Sequence, residues 1–190
     1  MITNTIQSIR DGNPKILVAG NHVKIMQSIL DFDYAAGKDV PSIVGIISAG
    51  RKTQKCFWGD SEILIPVFVD MKSVKNALLE PDFLLNITSA SSTKILVESF
   101  FETFPEAIGA HLFAEGVAER DALCLIEKYG ETKLIAGPSG VGVCIPGSLK
   151  LGAIGGVLGE RLAELGHRRG TTAVVCNSGV TKFHGFDGEF

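Results

Sequence analysis

Short apolar runs alternate with segments of helical periodicity along most of this chain. Lys15-Ile-Leu-Val-Ala-Gly20 is a run that ends in glycine, and behind it Val23, Met26, Ile29 and Leu30 fall on one helical face. That pattern is a strand–turn–helix unit. Ser42-Ile-Val-Gly-Ile-Ile-Ser48 is a second run, opened by Pro41. The polar stretch Arg51–Gly59 reads as a loop or lid. Ile63–Phe68 is a third, short run, which Pro66 places at an edge or a strand end. Asp70 is placed to cap a helix over Met71–Leu79. The cycle restarts at Pro81-Asp82 with a strand over Phe83–Ile87, a hydroxyl-rich turn over Thr88–Thr93 and a helix from about Thr93 to Phe104. Ala107–Phe113 is the next strand, closed by Ala114-Glu-Gly-Val117. Asp121–Tyr129 is helical and Gly130 ends it. Leu134–Ala136 follows, then a glycine-rich loop, a helical segment over Leu158–His167 and a last strand over Thr171–Cys176.

Strands that alternate with short helices predict an α/β fold, a Rossmann-like doubly wound and mostly parallel sheet that binds ligands outside the carboxyl ends of its strands. The turns at those ends are Gly20–Lys24, Phe68–Asp70, Thr88–Thr93, Ala114–Val117 and Gly137–Lys150. Residues 1–170 form one domain, and 171–190 read as the start of another.

Composition narrows the function. Hydrophobic content of 45% with 21% charged residues is that of a soluble globular protein. A net charge of −3 gives no electrostatic case for nucleic acid or an anionic membrane. No apolar run reaches the roughly 18 residues of a membrane span, and the first ten residues lack the layout of a signal peptide. Cys56, Cys124, Cys144 and Cys176 are far apart, among apolar neighbours and without a Cys-x-x-Cys pair. Neither a zinc set nor a redox dithiol is indicated, and reduced thiols in a cytoplasmic protein are expected.

Glycine-rich backbone and strand-end turns carry the candidate chemistry. Gly137–Gly156 is dense in glycine, with Lys150 its one charged residue. Such a loop lets backbone N–H groups surround an anion, although a tight turn with a snorkelling lysine has the same composition. The first turn, Gly20-Asn-His-Val-Lys24, lacks the second and third glycines of a dinucleotide fingerprint, which argues against a Rossmann oxidoreductase. Lys24 is either a phosphate contact at a helix N-terminus or an exposed first-turn lysine. Ser89, Ser91 and Ser92 offer hydroxyls at a strand-to-helix junction, where N-capping accounts for at least one of them. Glu115 is a ligand contact or a helix cap. His111 reads as a satisfied core or face histidine, and His22, His167 and His184 as solvated ones. No nucleophilic triad, metal set or Walker loop is present.

Certain stretches together resemble a known family. Leu30-Asp-Phe-Asp-Tyr34, Phe57-Trp-Gly59, Glu62-Ile-Leu-Ile-Pro-Val-Phe68, Ala114-Glu-Gly-Val117, Gly137-Pro138, Pro146-Gly147 with Lys150-Leu-Gly152, and Asn177-Ser-Gly179 stand in the order of the CoA-binding domain shared by ATP-citrate lyase and the succinyl-CoA synthetase α subunit. The Asp-Phe-Asp-Tyr and Phe-Trp-Gly pieces resemble the citrate enzymes, ATP-citrate lyase and citryl-CoA synthetase, more than the succinate one.

The resemblance implies a CoA site at the carboxyl edge of the sheet. Gly20, Asn21 and Lys24, with Ser89, Ser91 and Ser92, would hold the ADP-phosphate part. Val67, Phe68, Ala114, Glu115 and Gly116 would flank the adenine and the pantetheine path. Pro138 and Lys150 would line the thiol end, and Ser178 and Gly179 would help hold phosphate in the following domain. Two departures stand out. Ser91 occupies a position that is commonly basic in the family, and Cys176-Asn-Ser-Gly179 replaces Ser-x-Ser-Gly. The resemblance also implies that the phosphohistidine, ATP-grasp and citryl-CoA lyase portions lie outside this sequence, and it does not cast His184 as the phosphohistidine. The expectation is therefore a CoA-binding portion of an ATP-dependent citryl-CoA-forming enzyme, inactive alone and dependent on other domains or subunits. The alternative is a non-catalytic CoA- or nucleotide-binding or assembly module of a separate ligase subunit.

Overall fold

The computed structural model describes residues 2–154. Its central sheet has seven strands in the order β3-β4-β2-β1-β5-β6-β7. In chain order these are β1 (Ile16–Ala19), β2 (Ile43–Ile47), β3 (Thr53–Trp58), β4 (Ser61–Phe68), β5 (Phe83–Asn86), β6 (Gly109–Leu112) and β7 (Leu134–Ala136). All pairings are parallel except β3 with β4. Strands β1, β5 and β6 are buried at every position, as expected of unbroken apolar runs covered on both faces.

Two apolar layers sandwich the sheet. One face carries α1 (Ile2–Asp11), α2 (Val23–Ala35) and a two-stranded hairpin of β8 (Gly142–Ile145) and β9 (Leu149–Gly152). Ile9, Ile25, Met26, Ile29, Leu30, Leu149 and Leu151 pack there on Ile16, Val18, Phe83 and Leu85. The other face carries α3 (Met71–Asn76), α4 (Ala90–Thr103) and α5 (Glu119–Tyr129). Met71, Val74, Val97, Phe100, Phe101 and Leu125 pack on Leu17, Ala19, Leu84 and Leu112.

This is the predicted α/β, doubly wound and mostly parallel sheet, with local corrections. Arg51–Gly59 is no lid: its core is β3, paired from Thr53↔Pro66 to Trp58↔Ser61. Gln54 and Cys56 point inward while Thr53, Lys55 and Phe57 point out, a period-two pattern disguised by its polar half. Pro66 sits where the second side of β4 is still open, because β2 joins β4 only at Val67 and Phe68. The lost N–H therefore falls near the border of pairing, close to where an edge reading puts it. Asp70 caps α3 with a capping box, accepting from the Ser73 N–H at 2.7 Å, but the helix stops at Asn76 and Leu78 takes a positive φ of 58°. The glycine-rich stretch is largely hairpin rather than loop. Helix α1 had no counterpart in the sequence reading, although Ile6 and Ile9 stand at helical spacing. The expected helix Leu158–His167, the strand Thr171–Cys176, the boundary at 170/171, Cys176, Ser178, Gly179, His167 and His184 lie outside the described residues.

Candidate functional site

Strand order fixes where a ligand can enter. The chain runs outward from β1 through β2 to β4, then returns to the other side of β1 at β5 and continues to β6 and β7. Helix α2, after β1, lies on one face, and α4, after β5, lies on the other. The chain therefore leaves the adjacent ends of β1 and β5 toward opposite faces, and the crevice expected at such a reversal lies at the carboxyl edge, the usual ligand position in such sheets.

Gly20 forms one lip of this crevice. It has φ +99°, and a Cβ there would lie 3.0 Å from Ile87 Cγ1 and 3.1 Å from Ile87 O. Glycine is needed both for the backbone angle and for the close approach of the two turns. The Gly20 N–H donates to Ile47 O at 2.9 Å, and the Ile87 N–H to Ala19 O at 2.9 Å, so both lips are tied to the sheet. Asn21 and Lys24 are exposed, and Asn21 Nδ2 donates to Gln54 Oε1 at 3.1 Å. His22, expected to be merely solvated, is the N-cap of α2: its Nδ1 accepts from the Ile25 N–H at 3.3 Å.

The β5 lip carries the hydroxyls. Ser89 stands at the N-cap of α4 but makes no side-chain capping bond, so the capping expected of this turn is absent. Its Oγ instead lies 3.1 Å from Ser91 Oγ and 3.0 Å from Ser92 Oγ. The result is a cluster of three hydroxyls beside the positive end of a 14-residue helix. Thr93 turns its hydroxyl back to Ser89 O at 3.1 Å. Below the turn, Asn86 ends β5 fully buried. Its Oδ1 accepts from the Thr88 N–H at 3.0 Å and the Thr88 hydroxyl at 2.7 Å, whereas its Nδ2 has no hydrogen-bond partner. Leaving such a donor buried and unpaired costs about 1–3 kcal/mol. The sequence reading missed Asn86 because it sits inside an apolar strand run.

The remaining predicted residues spread along the same edge. Val67 and Phe68 end β4, and Phe68 O accepts from the Ser48 N–H at 3.0 Å. The Phe68 ring lies over Gly45, where a Cβ would be 2.8 Å from Cε2. Ala114 is buried, Glu115 and Gly116 are exposed, and the Ser139 N–H donates to Ala114 O at 3.0 Å, which joins the turns behind β6 and β7. Pro138 follows a cis peptide bond in the second of these turns. Lys150 is not at this edge. It lies in β9, 2% exposed, and its Nζ donates to Ser28 Oγ at 2.6 Å and Ser28 O at 3.3 Å in the middle of α2. Burial pushes its pKa below the usual lysine value, opposed by Cys144, Asp31 and Asp33. His111 is fully buried, as expected of a core histidine. Among the described residues no group of three or more His, Cys, Asp and Glu side chains is placed to hold a metal ion, and no helix is long and apolar enough to cross a membrane.

Two of the stretches that carried the resemblance, Leu30–Tyr34 and Phe57–Gly59, meet at one joint. Tyr34 and Trp58 stack edge to face at 5.7 Å, and Tyr34 occupies the space where a Cβ of Gly59 would be. Asp33 accepts from the Ser42 N–H and hydroxyl and pairs with Lys38 at 2.6 Å. These two motifs brace α2 against the β3–β4 hairpin and against β2.

No family model matches the chain. ATP-citrate synthase of Bos taurus is 36% identical to it over 170 residues, 87% of this chain and 15% of the bovine one. The probable ATP-citrate synthase subunit 1 of Schizosaccharomyces pombe is 34% identical over 168 residues, again 87% of this chain and 27% of the yeast one. The structure of ATP citrate lyase from Methanothrix soehngenii in complex with citrate and coenzyme A superposes with a TM-score of 0.76 at 29% identity, over 83% of this chain and 26% of that one. The chain is homologous to one segment of ATP-citrate synthase. It spans between 15% and 27% of the length of these two relatives. The sheet and its flanking helices thus share the fold of one part of the Methanothrix ATP citrate lyase, and a mutant ATP citrate lyase of Methanosaeta concilii in complex with (3S)-citryl-CoA superposes with the same TM-score of 0.76.

Proposed function

We propose that the carboxyl-edge crevice between the Gly20 and Ser89 turns binds CoA, and that the chain acts as the CoA-binding portion of an enzyme that makes citryl-CoA at the expense of ATP. The observation that carries this reading is the pair of strand-end turns in contact at the reversal of strand order, with an α4 N-terminus that has no side-chain cap, three clustered hydroxyls and a buried unpaired amide on one side. Its support from outside is the likeness to a lyase solved with CoA and citrate.

In this reading Ser89, Ser91 and Ser92 and the N-terminus of α4 hold phosphate oxygens, while Gly20 and Asn21 give close backbone approach and Lys24 supplies the positive charge. Val67, Phe68, Ala114, Glu115 and Gly116 bound the adenine and the pantetheine path, and Pro138 shapes the wall behind β7. Bound CoA supplies the thiol that displaces phosphate from an acyl phosphate. Lys150 helps indirectly, by fixing the β8–β9 hairpin to α2. Carboxylate activation through a phosphohistidine, ATP binding and any cleavage of citryl-CoA to acetyl-CoA and oxaloacetate fall to other domains or subunits, with Ser178 and Gly179 at the start of one of them. A cytoplasmic location goes with this reading.

The test is a thermal-shift titration of the 190-residue chain with CoA, dephospho-CoA, NAD and ATP in parallel. CoA at about a hundred times its dissociation constant stabilises the native state by about 2.7 kcal/mol. A shift with CoA exceeding those with NAD and ATP is expected. A folded sample that CoA leaves unshifted overturns the proposal, and a larger shift with NAD replaces it with an oxidoreductase reading.

A further inference from the structure

Asn86 is built in a way the fold alone does not explain. Its side chain shares one face of the sheet with Ala19, Leu84 and Leu112, all apolar and buried. A leucine would complete that layer. The one polar duty visible is the acceptance of two hydrogen bonds from Thr88 by Oδ1, and an aspartate performs that duty without leaving a donor stranded. What asparagine adds is Nδ2, a buried donor without a hydrogen-bond partner at the end of β5. The other buried polar atoms without such a bond have an ionic or further partner: Asp33 and Lys38 face each other, Lys128 engages Tyr129, and His111 is engaged as well. The stranded donor thus ends β5 at the reversal of strand order, three residues before the N-cap of α4, where no side-chain cap is made and three hydroxyls cluster.

We infer that Asn86 Nδ2 is a ligand-reading donor, which hydrogen-bonds a phosphate oxygen held at the N-terminus of α4. The inference rests on the CoA reading above and adds to it a specificity-determining residue with a neutral donor. A buried amide that finds its acceptor only in the complex favours an oxyanion over an apolar or cationic group, because only the oxyanion returns the hydrogen bond lost on folding. Nδ2 is buried, so the side-chain amide signal of Asn86 is the direct report of the contact.

The test uses the full chain, with Asn86→Asp and Asn86→Leu. Asn86→Asp keeps the acceptor for Thr88 and replaces the donor, whereas Asn86→Leu removes the donor without adding charge. Calorimetric titration with CoA, ADP and pantetheine is run beside NMR of the side-chain amides, with the Asn86 signal identified by its loss in Asn86→Asp. The expected result is an Asn86 NH2 signal that moves with CoA and ADP but not with pantetheine, together with a loss of about tenfold or more in CoA and ADP affinity in both variants at retained melting temperature. If both variants bind CoA like the wild type, Asn86 has no such role and the CoA reading survives. If only Asn86→Asp weakens binding, charge repulsion explains it and the donor role is overturned. If the wild type binds neither CoA nor ADP, both proposals fall together. If Asn86→Leu unfolds, the decision passes to the wild-type NMR signal, and an Asn86 NH2 unmoved by saturating CoA overturns the donor role.

Discussion

The side-chain amide of Gln27 pairs with the backbone of Phe57 in both directions: Nε2 donates to Phe57 O at 2.9 Å, and Phe57 N donates to Oε1 at 2.9 Å. A helix side chain thus plays the part of a missing neighbour strand along β3, the edge of the sheet. Exposed edges invite pairing with other chains, and covering them is one way proteins prevent it. Gln27→Ala is expected to cost about 1 kcal/mol or somewhat more for the two lost bonds. Chemical denaturation measures the loss, and hydrogen exchange should show faster exchange of the Phe57 amide while the amides of β1 and β5 stay protected.

Asp33 makes a stronger joint. It is fully buried, pairs with Lys38 and accepts both donors of Ser42, so it fixes the end of α2 to the start of β2. Asp33→Ala leaves a buried ammonium and a buried N–H without partners, and a loss of about 3–5 kcal/mol is expected. Asp33→Asn can still accept from Ser42 and should lose less. Urea unfolding of the two variants ranks them, and equal losses would show that Lys38, rather than Ser42, carries the joint.

Lys150 predicts a pH dependence. Its pKa in the folded chain is held below the usual 10.5 by burial. Between the lowered value and 10.5 the unfolded chain binds more protons than the folded one, so this residue makes stability rise with pH across that window. Lys150→Met removes both the desolvation cost and the bonds to Ser28, with a net change near neutral pH of about 1 kcal/mol or less, or a gain. The wild type is expected to gain on Lys150→Met as pH climbs toward 10.5. Parallel denaturation curves at several pH values check the sign; a constant difference would refute the burial effect.

Gly20→Val tests the crevice. The positive φ and the contact with Ile87 leave no room for a side chain. Backbone strain of this kind costs about 1–3 kcal/mol, and the displaced turn should abolish the CoA-induced thermal shift. Gly37 also has a positive φ, but nothing lies within 4 Å of a Cβ there. Gly37→Ala should therefore lose stability and keep the CoA response, which separates strain from closure of the site.

The strands, the parallel winding and the turns at the carboxyl edge were legible in the sequence, because apolar runs buried on both faces and helical periodicity are local signals that survive any arrangement of neighbours. So was the N-cap at Asp70, which needs only residues three positions apart. The sequence also carried the resemblance to ATP-citrate lyase, and its two most specific motifs meet in a packing joint between α2 and the β3–β4 hairpin. Tertiary structure decided the rest. β3 looked like a loop because half its residues face solvent, and it becomes a strand only when β4 pairs with it and Gln27 covers its edge. Lys150 looked like a lone cation in a glycine loop, but the β8–β9 hairpin carries it away from the edge and under α2. Asn86 looked like one more strand residue. Its unpaired amide is a property of what surrounds it in three dimensions, and no spacing along the chain records which donors find a partner.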